Sequence, residues 1–252
     1  MKSIAKRCIT FIIACLFFTQ IAFAENNNIK INEQYVKPDL EMQKKSNEKI
    51  ETFMEKLNIA NEKEGNMLII QSDPTIPPSK QLSTSGYTNQ PNGYTCGPTS
   101  AHNLLITLGK NVSIDTLSQE LGTTQSGTSF DTSKWSNVLN SHIGSNSSWY
   151  VGMWNPSTEN LWIAFVGDIV SGYPLILDTH ISSSTAILPG YENDPNVNVW
   201  HYVTGVGYSG YNNTTHYIAY FDPNKFRNGA YGLHTVNVST MQAAVSERGI
   251  IY

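Results

Sequence analysis

The first half of the chain carries apolar residues at helical spacing, separated by polar positions that favour a solvent-facing side. Residues 40–57 show this pattern clearly, because Ile50, Phe53 and Leu57 fall on one side of a segment that is otherwise rich in Lys and Glu. Later helices are marked by capping residues or by a terminal glycine. The predicted helices are residues 40–57, 96–108, 113–122, a helix opened by Asp131, and 157–171.

The second half contains short apolar runs bounded by turn residues, which is typical of buried strands. Turn residues Asn212 and Asn213 separate two of these runs, so we expect 201–208 and 217–221 to pair as a hairpin. Helical segments followed by strands predict an α+β layout with a mainly antiparallel sheet. The predicted strands are 149–153, 174–179, 201–208, 217–221 and 235–238, and a last helix is predicted over 239–248.

The N-terminus has the pattern of a cleavable export signal. Lys2, Lys6 and Arg7 form a basic start, residues 9–18 are apolar, and a small-residue cleavage site ends at Ala24. A retained membrane anchor is the alternative, but the apolar run is short for one. We therefore expect a protein that is secreted or located in the cell envelope or periplasm.

Composition divides the chain into three parts. They are a signal peptide at 1–24, a helical N-terminal extension with a turn-rich linker at 25–86, and one compact domain at 87–252. Two interpretations of the extension stay open. It is either a pro-region that folds over the active site, or a helix and linker that decorate the domain.

Removal of the signal changes the charge and the cysteine content. Three basic residues leave, so the formal net charge moves from −4 to −7, and a mildly acidic chain without a basic stripe is not expected to bind nucleic acid. Cys8 and Cys15 leave as well, and Cys96 remains as the single cysteine, without a partner for an internal disulfide. An exported chain gains little from an idle free thiol, so this count points to a reactive role for Cys96.

Cys96 lies where a loop turns into a predicted helix. Pro98 suits the first turn, and the helix dipole and free N–H groups there favour a thiolate. Gln90, six residues upstream, carries an amide that can donate to an oxyanion formed at Cys96. The alternative is a buried structural cysteine that opens a core helix.

The segment Gln90 to Cys96-Gly97-Pro98, leading into a helix, resembles the nucleophile region of papain-like cysteine peptidases. In particular it resembles freestanding relatives of the bacteriocin-leader (double-glycine) peptidase domain. The resemblance implies a papain-like cysteine proteinase fold, with the nucleophile at the N-terminus of a central helix packed on an antiparallel sheet. Cleavage after a double glycine is not carried over, because the leader peptidases proper are fused to a membrane exporter, whereas this chain carries its own export signal.

The resemblance also implies the remaining site residues. The family's base opens an apolar, glycine-containing strand, which is the position of His201. The family's acid ends the next strand in an Asp-Pro pair, which is the position of Asp222. His180, which follows Asp178 by two residues, offers a second acid–base pair and stays open as the alternative base.

These features predict an exported, monomeric cysteine peptidase that acts on peptide or protein substrates without a cofactor or metal. One remaining cysteine excludes a multi-cysteine zinc site, and no His-x-x-x-His spacing occurs. The alternatives are an amidase acting on cell-wall peptides, an acyl- or amine-transferring relative, and a non-catalytic binding domain that keeps the fold.

Overall fold

A seven-stranded antiparallel sheet forms the middle of the protein in a computed structural model, which describes residues 40–57, 75–144 and 147–252. The predicted signal peptide at 1–24 lies outside the described residues. The strands are β1 (Ser79–Gln81), β2 (Gly152–Trp154), β3 (Leu175–Ser182), β4 (Asn198–Ser209), β5 (Tyr217–Asp222), β6 (Gly232–Asn237) and β7 (Gly249–Ile251). Their order is β2-β7-β3-β4-β5-β6, and β1 pairs with the end of β4 that extends beyond β3.

Helices cover the sheet, and each helix predicted from spacing and caps forms. Ser113, Asp131 and Ser157 act as N-caps, because the side chain of each accepts a hydrogen bond from the backbone N–H three residues later. Gly122 ends its helix in the left-handed region, at φ +72°. The helices are α1 (Leu40–Lys56), α2 (Cys96–Thr107), α3 (Ile114–Leu121), α4 (Thr132–Ile143), α5 (Thr158–Ser171) and α6 (Val238–Val245).

The predicted strands differ from the structure at the margins of the sheet. The first predicted strand, 149–153, is shorter in the structure, where β2 has three residues. The predicted last strand, 235–238, overlaps β6, and one further strand, β7, follows it. Neither β1 nor β7 was predicted. Each has three residues, too few for a periodic pattern, and β1 is polar because its place depends on pairing with β4 rather than on burial. The predicted hairpin of 201–208 and 217–221 is confirmed as β4 and β5.

Alternate residues of the central strands contribute to two different cores. Ile176 and Tyr202 pack in the core that contains α2, α3 and α4, whereas Leu177 and Val203 pack in the core that contains α1, α5 and α6. The sheet therefore has helices on both faces. The predicted α+β class, with a central helix packed on an antiparallel sheet, is confirmed.

The described parts of the predicted extension pack with the rest of the chain. In α1, Ile50 and Phe53 are buried, and a Cβ built on Gly167 of α5 would lie 2.3 Å from the Phe53 ring. β1 is a strand of the same sheet. Segments on both sides of the expected boundary at residue 87 thus share one packed unit. Within the described ranges no helix is long and apolar enough to cross a membrane.

A β-bulge at Val206 determines the face of the sheet on which Asp222 lies. The pairs on the two sides of the bulge are Gly207–Ala219 and Gly205–Tyr220, and Thr204–Phe221 follows the second of them. Paired residues share a face, and successive residues alternate between faces. Asp222 falls opposite Val203, and His201 lies two positions from Val203, so Asp222 and His201 lie on the same face. If Val206 paired with Tyr220 instead of bulging, the register would shift by one, and Asp222 would lie opposite Thr204 and point to the other face.

Candidate active site

Cys96 is the first residue of α2, and its side chain is buried. Two hydrogen bonds fix this helix to β4. Ser100 Oγ donates to the carbonyl of Tyr202 at 3.0 Å, and Thr204 Oγ1 donates to the carbonyl of Ser100 at 3.1 Å. The thiol is therefore held at a helix N-terminus beside the strand that carries His201.

Gly97 lies where α2 and the loop of residues 122–129 come closest. A Cβ at this position would lie 2.8 Å from Thr128 Oγ1 and 3.3 Å from the Trp135 ring, so a larger residue would push the loop away. The hydroxyl of Tyr202 donates to the carbonyl of Thr128 at 3.0 Å, which joins the same loop to β4. Glycine is thus required next to the nucleophile for close packing of helix, loop and strand.

His201 and Asp222 lie on neighbouring strands, and their side chains meet inside the protein. His201 Nε2 donates to Asp222 Oδ1 at 2.7 Å, and the two side chains are 5% and 0% exposed. The predicted hairpin therefore brings these residues together. A bond between an imidazole and a carboxylate, shielded from water, fixes the orientation of the ring.

His201 also lies close enough to the thiol of Cys96 for each group to shift the pKa of the other. Nε2 is bonded to Asp222, so Nδ1 is the ring nitrogen left to interact with the thiol. The three side chains therefore form one line of interacting groups, from the start of α2 through β4 to the end of β5.

The electrostatics of this line of groups favour a charged pair. Burial acts to raise the pKa of the Cys96 thiol, but the hydrogen bond and charge of His201, with backbone N–H groups of Tyr202 and Gly97, bring that pKa below its ordinary value. Burial acts to lower the pKa of His201, but the charge and hydrogen bond of Asp222, followed by Cys96, raise it above its ordinary value. The resting site therefore favours a thiolate beside an imidazolium.

Gln90 is buried on the loop that approaches Cys96. Its backbone N–H donates to the carbonyl of Pro223 at 2.9 Å, which ties this loop to the residue after Asp222. Its Nε2 donates to the carbonyl of Asn92 at 2.9 Å, and a second hydrogen on that nitrogen remains available. Its Oε1 has no hydrogen-bond partner among the described residues.

His180, the alternative base, is bonded elsewhere. Its Nδ1 lies 2.9 Å from Glu247 Oε2, its Nε2 lies 2.7 Å from Asn198 Oδ1, and its ring stacks on Trp200 at 4.3 Å. Its acidic partner is thus Glu247 rather than Asp178. The four other histidines each contact a group away from the thiol: His102 with Val112, His142 with Glu120, His216 with Trp162 and His234 with Ala230.

Asp178, the acid of the alternative pair, lies near enough to Cys96 for the charge of the thiolate to act on it. It pairs in register with Tyr202 and is 2% exposed. Burial, and then the charge of Cys96, hold the pKa of the Asp178 carboxyl well above its usual range. The neutral form is therefore favoured, and Asp178 adds little negative charge near the thiolate.

Two residues of the site were not found from the sequence. Tyr191 donates its hydroxyl to Asp222 Oδ2 at 3.3 Å, and the backbone N–H of Asn224 donates to Asp222 Oδ1 at 2.7 Å. Tyr191 lies on a turn-rich connection between β3 and β4, where no periodicity marks it. Asn224 follows the Asp-Pro pair directly, and an Asx turn after that pair was the one available signal.

A thiol at a helix N-terminus, packed on an antiparallel sheet that supplies an adjacent imidazole and carboxylate, defines a cysteine-dependent hydrolase of the papain-like class. Residues 75–243 of the 252 match the model of the Peptidase_C39 like family. The chain belongs to this family and is a cysteine peptidase.

Several solved structures are similar to the chain. One of them is digestive procathepsin L 3 of the Tenebrio molitor larval midgut, which is 14% identical over 81% of this chain and 78% of its own, with a TM-score of 0.48. No curated protein matches the chain.

Proposed function

We propose that Cys96, His201 and Asp222 act as a catalytic triad, with Gln90 as an oxyanion donor, in an exported peptidase that cleaves peptide bonds in peptide or protein substrates. The observation that carries this proposal is the buried His201–Asp222 hydrogen bond of 2.7 Å, together with the Cys96 thiol whose pKa His201 lowers. Family membership supports the peptidase chemistry, and the pattern of residues 1–24 supports export.

In the acylation half of the reaction, the Cys96 thiolate attacks the carbonyl carbon of the scissile bond. Negative charge then develops on the carbonyl oxygen. The remaining Nε2 hydrogen of Gln90 and the backbone N–H of Cys96 stabilise that oxyanion. The His201 imidazolium gives its proton to the leaving amine, and an acyl-enzyme on Cys96 remains.

In the deacylation half, His201 is neutral and accepts a proton from a water molecule that attacks the acyl group. The oxyanion forms again at the same donors, and collapse of the tetrahedral intermediate releases the acid and restores the thiolate and imidazolium. Asp222 keeps the same bond to His201 throughout, so the ring keeps one nitrogen toward the sulfur in both halves.

Alkylation of Cys96 as a function of pH tests this proposal directly. Iodoacetamide should label Cys96 of the wild-type chain well below the pH at which an ordinary thiol reacts, because the thiolate is stabilised by His201. In His201→Ala the burial of the thiol is no longer opposed by the imidazolium, so labelling should require a higher pH. His180→Ala is the matched control and should label like the wild type.

Turnover assays distinguish the enzyme classes. Hydrolysis of a peptide library by the wild type, with no hydrolysis by Cys96→Ala, is the expected result. Activated labelling of Cys96 together with hydrolysis of cell-wall muropeptides alone would favour the amidase. Ordinary thiol reactivity together with no turnover would contradict the proposal and leave a binding domain. N-terminal sequencing of exported protein should begin at Glu25, and retention of residues 1–24 would contradict the export part.

A further inference from the structure

The carboxylate of Asp222 is held by three donors, although it is fully buried. Oδ1 accepts from His201 Nε2 and from the backbone N–H of Asn224, both at 2.7 Å. Oδ2 accepts from the hydroxyl of Tyr191 at 3.3 Å, which is its hydrogen-bond donor among the described residues. The oxygen that does not face His201 thus depends on Tyr191 for its hydrogen bond.

The hydroxyl of Tyr191 has a fixed direction. Asn224 Nδ2 donates to the Tyr191 oxygen at 3.0 Å, so the single hydrogen of that hydroxyl is directed to Asp222. The Tyr191 ring is 1% exposed, and the Arg227 guanidinium lies 4.8 Å from its centroid. Tyr191 and Asn224 together form a closed ring of hydrogen bonds with Asp222.

The backbone that carries Tyr191 is also fixed in place. Gly190 has a φ of +85°, and a Cβ on it would lie 2.3 Å from the backbone nitrogen of Ala230. The connection between β3 and β4 therefore packs directly on the connection between β5 and β6. Arg227 belongs to that second connection and binds Asp194 of the first at 3.1 Å.

We propose that Tyr191 is a positioning residue for the reaction, which fixes the plane of the Asp222 carboxylate and so the direction of the His201 ring. The inference rests on the proposed function of the triad. A buried carboxylate oxygen without a donor is costly, and an Asp222 that lacked Tyr191 would rotate or draw in water. Either change would turn the His201 imidazole away from the Cys96 thiol.

Removal of the Tyr191 hydroxyl should also change the basicity of His201. A donor to Asp222 withdraws part of its negative charge, so loss of that donor strengthens the attraction of Asp222 for the imidazolium. The alkaline limit of the pH–rate profile should then move upward. The charged and titratable groups that act in this region are Cys96 of α2, Asp178 of β3, His201 of β4, Glu192 and Asp194 beside Tyr191, Tyr220 of β5, and Arg227.

The test compares Tyr191→Phe with Tyr220→Phe in the full chain, using hydrolysis of a peptide substrate. Tyr220 is fully buried in β5, is influenced by the charge of Asp222, and its hydroxyl has no hydrogen-bond partner among the described residues. Tyr191→Phe should lower kcat about tenfold, the scale of one hydrogen bond to a charged group, with KM unchanged and the alkaline limit raised. Tyr220→Phe should leave kcat and the pH profile unchanged.

Equal behaviour of the two variants would overturn the inference, while inactive Cys96→Ala and His201→Ala would still uphold the triad. Activity retained by Cys96→Ala would overturn the triad itself. If Tyr191→Phe does not fold, Asn224→Ala replaces it, because it removes the donor that directs the Tyr191 hydroxyl and keeps the backbone N–H on Asp222. It should give a smaller loss of kcat with the same upward shift, and an unchanged pH profile would count against the inference.

Discussion

Lys49 of α1 and Asp168 of α5 form an ion pair of 3.0 Å, in which the side chains are 13% and 0% exposed. Lys49 Nζ also donates to the carbonyl of Trp149 at 2.9 Å and lies 4.7 Å from the centroid of the Tyr252 ring. Trp149 Nε1 donates to the same oxygen of Asp168 at 3.1 Å. The first described helix is therefore attached to the domain by a buried charge as well as by apolar side chains.

Loss of either charge should destabilise the whole chain. Lys49→Met or Asp168→Leu leaves one buried charge without its partner, and we expect each to lower the free energy of unfolding by about 3 kcal/mol. The double variant should cost less than the sum, because no unpaired charge remains. Urea denaturation measures all three. Lys44→Met is the control on the same helix, since its pair with Glu48 is exposed and should cost under about 0.5 kcal/mol. Additive single losses would contradict this account.

The pH dependence of stability should carry the signature of Asp168. Burial raises its pKa from 3.8 to about 6, against the opposing charge of Lys49. Between these values the folded chain holds a proton that the unfolded chain has released, so this group's contribution to stability is full below pH 3.8 and is lost as the pH rises to about 6. Unfolding free energies measured in this window should show a downward slope that is absent from Asp168→Asn. An equal slope in both proteins would assign the effect to other groups.

The triad predicts an order of kinetic losses. Cys96→Ala should abolish hydrolysis, and His201→Ala should cost as much, since members of a triad act as a unit. Asp222→Ala should cost less, because a misoriented imidazole still accepts a proton. Asp222→Asn should cost less again, because an asparagine oxygen can still accept a hydrogen bond from His201 Nε2. Steady-state kinetics with one peptide substrate ranks the four variants.

His180→Ala is the control for that series. Its ring is bonded to Glu247 and Asn198, so we expect near-normal kcat/KM. An inactive His180→Ala beside an active His201→Ala would move the base to β3.

Gln90→Ala should separate oxyanion stabilisation from thiol activation. We expect a fall in kcat of roughly one hundredfold, as for loss of one oxyanion donor. Alkylation of Cys96 should keep its wild-type pH dependence, because the groups that stabilise the thiolate are His201 and backbone N–H groups. A parallel loss of labelling would show that Gln90 supports the fold of the loop instead.

Local signals account for the parts of the fold that the sequence predicts well. The caps Ser113, Asp131 and Ser157 act on backbone N–H groups three residues away, so each helix start could be recognised within a short window. The hairpin of β4 and β5 joins neighbours in the sequence, and it brings His201 to Asp222 as expected.

Long-range pairings account for what the sequence did not predict. β1 and β7 are strands because distant segments offer unpaired edges, and three residues carry no period of their own. Tyr191 reaches Asp222 because two loops pack together at Gly190, and no spacing in the sequence expresses that contact. The packing of α2, which begins at Cys96, against the sheet was implied by the family resemblance and not by the periodicity of the sequence.

The bulge at Val206 has a consequence for changes of chain length in the hairpin. The register that places Asp222 on the same face as His201 is set within the strands, by the pairing of residues 204–209 with 217–221. Residues 212–214 are exposed at the tip and lie outside this pairing, so a tag inserted there lengthens the loop and leaves the strand register unchanged. Deletion of Val206 leaves Gly205 and Gly207 opposite their present partners, whereas deletion of Val203 moves His201 by one position and turns it away from Asp222. Tolerance and sensitivity to changes of length thus lie only a few residues apart on the same hairpin.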